Sequence, residues 1–257
     1  MSLVIEHFRP LRHHLSACVG ELCPLCRGTG VPWQNTNGNN PSLRVCCGCL
    51  LSWPWESQQE YEAFYREDLK YHRDECLALK LPPQYERFDE HCVAAYKRLE
   101  LMNRWLPMNE HSRTLDVGSS NGAFISVARA AGIPAIGLEP NEAMCYMAWK
   151  HHRIALMHGD WFDIGGRWHL IVATDVIEHL TDPEGMLRKC RRHGAYLYIE
   201  TPDFTVSRPP DWKHIKPREH ICLFSEDALV RLLARTAWRP VAIHRPIEGK
   251  LAVLCGS

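Results

Sequence analysis

Asp116, Gly118, Ser119, Gly122 and Glu139 carry the densest chemical information in the chain. They lie in Leu115-Asp116-Val117-Gly118-Ser119-Ser120-Asn121-Gly122 and in Gly137-Leu138-Glu139-Pro140. The apolar run from Arg113 to Val117 reads as a strand entering a Gly-x-x-x-Gly turn, with a helix beginning near Ala123. Glycines in such a turn let backbone N–H groups approach a ligand closely. A second strand, Pro134 to Leu138, runs into Glu139 about twenty positions after the first glycine, where a carboxylate can accept both ribose hydroxyls of a nucleoside. Asp116, just before the turn, would repel a pyrophosphate resting on the helix N-terminus. It suits instead the cationic ammonium and sulfonium of S-adenosylmethionine. The closely spaced first glycine pair of the dinucleotide fingerprint is also missing. The plainer alternative is a structural strand-turn-helix with an incidental Glu139.

Three further strand ends hold polar groups, and ligands of open parallel sheets bind beyond the carboxyl ends of the strands. Gly159-Asp160-Trp161 offers a carboxylate for an adenine amino group and an indole for its ring, although Trp161 also reads as an ordinary core aromatic. In Thr174-Asp175-Val176-Ile177-Glu178-His179-Leu180, a helical turn would put Asp175, Glu178 and His179 on one face, toward a sulfonium methyl. Asp175 is assigned to the cofactor side. Glu200-Thr201-Pro202-Asp203-Phe204 closes the crevice. His179 and His220 are the candidate bases for an acceptor that must lose a proton, with Glu178 orienting or assisting, because imidazole titrates in the useful range. A rival use of Asp175, Glu178, His179 and His220 is to hold a hard divalent ion that lowers the pKa of an acceptor hydroxyl.

Twelve cysteines are present, and five fall within residues 23–49. Cys23-Pro24-Leu25-Cys26 and Cys46-Cys47-Gly48-Cys49 form two knuckles about twenty residues apart, which predicts a tetrahedral zinc site of Cys23, Cys26, Cys46 and Cys49. Cys47 is the non-ligand. Four sulfur ligands leave no open position for a catalytic water, so the zinc is structural. Reduced, unliganded cysteines or a redox pair are the alternatives. Cys18, Cys145, Cys190 and Cys222 sit in helical or apolar contexts and read as small core hydrophobes.

The elements that position these groups follow from periodicity. Strands are expected near 113–118, 134–139, 154–158, 169–175 and 195–200, alternating with helices near 123–131, 141–151, 183–193 and 226–237, which predicts a parallel sheet covered on both faces. Strands 239–245 and 250–255, joined by Ile247-Glu248-Gly249, form a hairpin that adds one antiparallel strand. Ser42 to Val45 reads as a strand between the knuckles. Glu56 to Lys80 is helical with an aromatic stripe of Tyr61, Phe64, Tyr65 and Tyr71. Residues 89–106 form an amphipathic helix that buries Val93, Tyr96, Leu99, Met102 and Leu106 beside the sheet. The division is a zinc-ribbon module over 1–55, a helical linker or lid over 56–108, and an α/β domain over 109–257.

Those motifs, with Trp212, Pro217-Arg218-Glu219-His220 and Phe224-Ser225, resemble class I S-adenosylmethionine-dependent methyltransferases that carry an N-terminal zinc ribbon and are related to ubiquinone and sugar methyltransferases. The resemblance implies a Rossmann-like, seven-stranded sheet, mostly parallel with its last strand antiparallel. It implies cofactor contacts at Asp116, Gly118, Gly122, Glu139, Asp160 and Trp161, and places His179 and His220 near the substrate. Ser119-Ser120-Asn121 departs from the commoner turn variants, and Asp203 stands where Asn is frequent. The expected reaction is methylation of a small polar metabolite, such as a sugar, nucleotide-linked or natural-product acceptor.

The 257 residues hold one α/β domain and a small module, and 30 basic residues balance 30 acidic ones, so no chain-wide field recruits nucleic acid or membrane. Methylation of RNA or DNA remains the second reading, with Arg208, Lys213, Lys216 and Arg218 as its footprint and Arg188, Lys189, Arg191 and Arg192 as a helical one. A ligand-binding adaptor without catalysis is the third, disfavoured by the intact acidic set. No signal peptide or membrane-spanning run is found, and the thiol-rich composition points to a reducing, cytoplasmic setting.

Overall fold

A computed structural model describes residues 82–204 and 220–257, together with the backbone of three short N-terminal strands. Those strands are β1 (Val31–Pro32), β2 (Leu43–Val45) and β3 (Cys49–Ser52). Cys18, the zinc-site cysteines Cys23, Cys26 and Cys46, the helix expected over 56–80, and Trp212 and Pro217 to Glu219 with the cations of that loop lie outside the described residues.

The main sheet has seven strands. In chain order they are β4 (Thr114–Val117), β5 (Ala135–Glu139), β6 (Met157–His158), β7 (Trp168–Thr174), β8 (Gly194–Pro202), β10 (Arg239–His244) and β11 (Lys250–Gly256). Across the sheet the order is β10-β11-β8-β7-β4-β5-β6. Pairs β7–β8, β4–β7, β4–β5 and β5–β6 are parallel, whereas β11 is antiparallel to both its neighbours. The Rossmann-like methyltransferase sheet with its antiparallel insertion is therefore as expected. The third expected strand is shorter than 154–158: it pairs only at Met157–His158, after Arg153 has ended the preceding helix in the left-handed region.

Helices cover both faces. They are α1 (Phe88–Trp105), α2 (Ala123–Ala130), α3 (Glu142–His152), α4 (Pro183–His193) and α5 (Glu226–Arg235). Three begin where the sequence supplies a cap: Asn141, Asp182 and Ser225 accept from the N–H groups of Met144, Gly185 and Ala228. Alternate strand residues feed opposite layers. Ile171, Ala173, Leu197, Ile199, Leu251 and Val253 pack under α4 and α5 with Trp238, while Leu170, Val172, Tyr198, Ala252 and Leu254 pack under α1 and α2. Cys190 and Cys222 are buried core residues as expected, while Cys145 is half-buried.

One expectation for α1 needs correction. Val93 and Tyr96 are 58 % and 56 % exposed, and the buried stripe is Ala95, Leu99, Met102 and Leu106. That set keeps the i, i+4, i+7 spacing of one helix face; Tyr96 falls on its flank and Val93 nearly opposite it. Met102→Ala should therefore lower stability by about 2–5 kcal/mol, whereas Val93→Ala should change it by less than about 1 kcal/mol, read by denaturant unfolding.

A second, four-stranded sheet runs β1-β2-β3-β9, where β9 is Cys222–Phe224. Leu43–Val45 is the strand expected between the knuckles. β9, by contrast, carried no periodic signal, being only three residues long.

Candidate active site

The turn after β4 is built on left-handed backbone. Gly118, Ser120 and Gly122 have φ of 72°, 50° and 79°. At Gly118 a Cβ would also meet Val176 Cγ2 at 2.6 Å, so both the dihedral and the space require glycine. Glu139, buried at the end of β5, clamps the turn. Its Oε2 accepts the Ser120 N–H at 2.7 Å and its Oε1 the Asn141 N–H at 3.0 Å. Each oxygen keeps a second lone pair, which is what two ribose hydroxyls require. Close approach of the two strands' ends depends on Gly137, where a Cβ would sit 2.4 Å from Ser119 Oγ. Ser119 thus acts through the loop, donating its hydroxyl to the Asp116 carbonyl at 2.7 Å.

Asp116 is buried, and its Oδ1 has no hydrogen-bond partner among the described residues. Burial pushes its carboxyl up to about 7, and burial likewise raises Glu139 to about 7. An unmet buried carboxylate oxygen is a strong request for a donor or cation, which the ammonium of S-adenosylmethionine would meet. The residues fit that cofactor. Asp160 caps the short 3-10 helix Trp161–Asp163, accepting the Trp161 N–H at 2.6 Å, and stands beyond β6. Trp161 is half-buried with one side on the core and an edge contact to Phe162, so both of its expected uses remain compatible with its place.

The stretch after β7 departs from the expected helical face. Asp175 has a φ of 55°, only Ile177–His179 forms a 3-10 turn, and the Asp175 carboxylate is ion-paired with Lys250. Burial opposes its charge, but Lys250 holds the carboxyl below its usual range. The structure brings together Glu178, His179 and His220 without Asp175: one ligand atom from each lies within 4.8 Å of the others. The two imidazoles are edge-on at 4.7 Å between centroids. Glu178 is fully buried; Oε2 accepts from Thr201 Oγ1 at 2.9 Å, and Oε1 has no partner among the described residues. Burial, reinforced by the Asp175 charge, pushes Glu178 up to about 8.

Sequence reasoning missed two residues of this floor. Arg98 of α1 reaches Glu200 at the end of β8 through two bonds of 2.8 and 2.6 Å, and Tyr198 adds a third at 3.2 Å. Lys250 arrives from β11. Gln84 was missed too. Its Oε1 accepts from Ser120 Oγ at 2.9 Å and its carbonyl from Asn121 Nδ2 at 2.8 Å, so the segment ahead of α1 ties down the glycine turn.

Comparison with known proteins bears on the family and the fold. A family profile described as a methyltransferase domain matches residues 85–243, more than half of the chain. No curated protein matches it. Among solved structures, a Burkholderia thailandensis 1,6-didemethyltoxoflavin-N1-methyltransferase, bound to 1,6-didemethyltoxoflavin and S-adenosylhomocysteine, is 13% identical. Its alignment covers 83% of this chain and 97% of that one, with a TM-score of 0.57. A Haloferax volcanii putative methyltransferase in complex with the Trm112 activator gives 14% identity, 72% and 96% coverage and a TM-score of 0.56. An S-adenosylmethionine-dependent methyltransferase from Aquifex aeolicus gives 13%, 68% and 98%, and 0.52. At these identities the likeness is one of fold.

Glu139→Ala should weaken S-adenosylmethionine binding by about 1–3 kcal/mol through lost charge-assisted bonds, measured by calorimetry. Unchanged affinity, or a preference for NAD, would contradict the assignment. Because Asp116 and Glu139 are both raised to about 7 and the ligand pairs with their ionised forms, affinity should fall as pH drops from about 7.5 to 5.5. The ligand-free protein should show the opposite trend. Raised carboxyls in the folded state contribute stability at low pH that is lost as pH rises from about 4 to about 7, which thermal melts with and without ligand separate.

Proposed function

The chain belongs to the methyltransferase-domain family and is an S-adenosylmethionine-dependent methyltransferase; from that premise we propose that it methylates a small polar metabolite, with His179 or His220 taking the acceptor proton. The observation that carries this reading is the convergence of Glu178, His179 and His220 beyond β7, beside the cofactor groups beyond β4 and β5. The 1,6-didemethyltoxoflavin bound by the Burkholderia protein is a small molecule of the size this reading supposes.

S-adenosylmethionine supplies an electrophilic methyl on a sulfonium that leaves readily. The chain's own residues then have two tasks. Asp116, the glycine turn and Glu139 hold the cofactor, so that alignment supplies the entropic part of catalysis. His179 and His220 stand where an imidazole nitrogen can accept the proton released from an oxygen, nitrogen or carbon acceptor. Glu178, raised by burial to about 8, is predominantly a neutral acid near pH 7 and orients rather than repels such an acceptor.

A second reading is favoured by one specific feature: the unpartnered Glu178 Oε1 beside two imidazoles is also a donor set for a divalent ion, which would acidify an acceptor hydroxyl. Lys250 withdraws Asp175 from that set. The nucleic-acid reading has less support, since Arg188 pairs with Glu184, and Arg191 caps the Ala237 carbonyl and lies over Trp238. We place a structural zinc at Cys23, Cys26, Cys46 and Cys49 on the chemistry of the donor set, and keep the three-part division of the chain, with the family match beginning inside its helical segment. Among the described residues no helix is long and apolar enough to cross a membrane. A cytoplasmic setting rests on the thiol-rich composition.

Mass spectrometry of small molecules retained by the purified protein should reveal the acceptor class, a nucleotide sugar being one example, whereas steep salt-dependent RNA binding would favour the nucleic-acid reading. With an acceptor in hand, His179→Ala or His220→Ala should lower turnover by about 10²–10⁴-fold while cofactor affinity is kept. Near wild-type turnover in both and in their double variant would leave alignment alone. Elemental analysis should find one zinc per chain, and none in chelator-free preparations would remove that assignment. With that zinc intact, chelation should abolish turnover only on the divalent-ion reading.

A further inference from the structure

The segment that carries His220 is held from two sides. Ahead of β9, the Ile221 N–H donates to the Glu178 carbonyl at 2.8 Å, and at its last residue the Phe224 carbonyl accepts from the Phe204 N–H at 3.1 Å. Along its other edge β9 pairs antiparallel with β3, with Cys49 opposite Phe224, Leu50 opposite Leu223 and Leu51 opposite Cys222. His220 is buried, two residues before β9 begins, with its ring against His179. A three-residue strand has little order of its own. The β3 ladder is therefore one of the restraints on the backbone that delivers His220, beside the Glu178 and Phe204 bonds and the burial of Cys222, Leu223 and Phe224. Proton transfer tolerates little misplacement, because a base must stay within about 2.6–3.2 Å of the proton it takes, directly or through one water.

We propose that strand β3, from the N-terminal part of the chain, is a positioning element of the acceptor site that holds His220 against Glu178 and His179 through β9. The inference rests on reading that cluster as the acceptor side. Cys49, one of the four cysteines assigned to zinc, is the β3 residue opposite Phe224, so ligation there would brace the same ladder. The N-terminal module then sets acceptor chemistry while leaving the cofactor pocket alone, since the ends of β4 and β5 are tied to each other and to Gln84 and have no β3 partner.

The test uses the full chain with Leu50→Pro, Leu51→Pro and the milder Leu51→Gly. Neighbouring residues of a middle strand aim their N–H groups at opposite partners, so one of the two prolines removes a bond to β9. Three quantities are read: S-adenosylmethionine affinity by calorimetry, amide exchange at Ile221 and 222–224, and the His220 imidazole titration by NMR, assigned with His220→Ala. In at least one proline variant, exchange at Ile221 should rise by about tenfold or more and the His220 titration should shift, with cofactor affinity within about threefold. Unchanged exchange and titration in all three variants would overturn the proposal. So would loss of cofactor binding in all three, which would make β3 a determinant of the whole domain. If the unaltered chain fails to bind S-adenosylmethionine, the methyltransferase reading fails instead, while exchange and titration still report on the coupling of β3 to His220.

Discussion

The left-handed turn after β4, and the Glu139 carboxylate that holds it, is the constraint from which the rest of the site follows. Three residues in five, Gly118, Ser120 and Gly122, have positive φ, and one of them is a serine for which that conformation is unfavourable. The cost is met locally: Glu139 takes the Ser120 N–H and Gln84 takes its hydroxyl. The same carboxylate also takes the N–H of Asn141, the cap of α3. One side chain thus fixes the ends of two neighbouring parallel strands and the helix that follows the second. A nucleoside placed there meets a rigid floor, which is how alignment becomes catalysis.

The carboxylates at these strand ends divide into two groups. Buried Glu200 and Asp203 and partly exposed Asp175 have counter-cations within the chain, Arg98, Arg245 and Lys250. Asp116, Glu139 and Glu178 have none among the described residues, and burial raises all three. A buried charge without a partner destabilises the fold, so groups of this kind cluster where a ligand completes them. On the proposed reading, the carboxylates without a cation are the ones a ligand would complete, Asp116 toward the cofactor and Glu178 toward the acceptor.

Much of this was legible in the sequence because the signals are local. The glycine turn, the acidic strand end about twenty residues later, and the alternation of strands and helices each occupy a short window. What was not legible is what distant segments contribute. Arg98 and Glu200 are 102 residues apart and Lys250 and Asp175 are 75 apart, and neither cation stands out on its own element. Asp175 was expected on a helical face with Glu178 and His179. Its pairing with Lys250 and its left-handed backbone take it elsewhere, a tertiary effect that periodicity does not encode. The outward flank of α1 was misjudged for a related reason: an apolar residue at helical spacing marks a candidate face, and only packing decides how wide the buried stripe is. The pairing of β9 with β3 was invisible because three residues carry no period at all.

The most direct measurement is a crystal structure of the chain with S-adenosylhomocysteine. The account predicts ribose hydroxyls on Glu139, the ligand's ammonium on Asp116, and its sulfur directed toward the Glu178, His179 and His220 cluster. A ligand bound with its sulfur turned away from that cluster, or with Asp116 and Glu139 making no contact to it, would contradict the assignment of the two sides of the crevice.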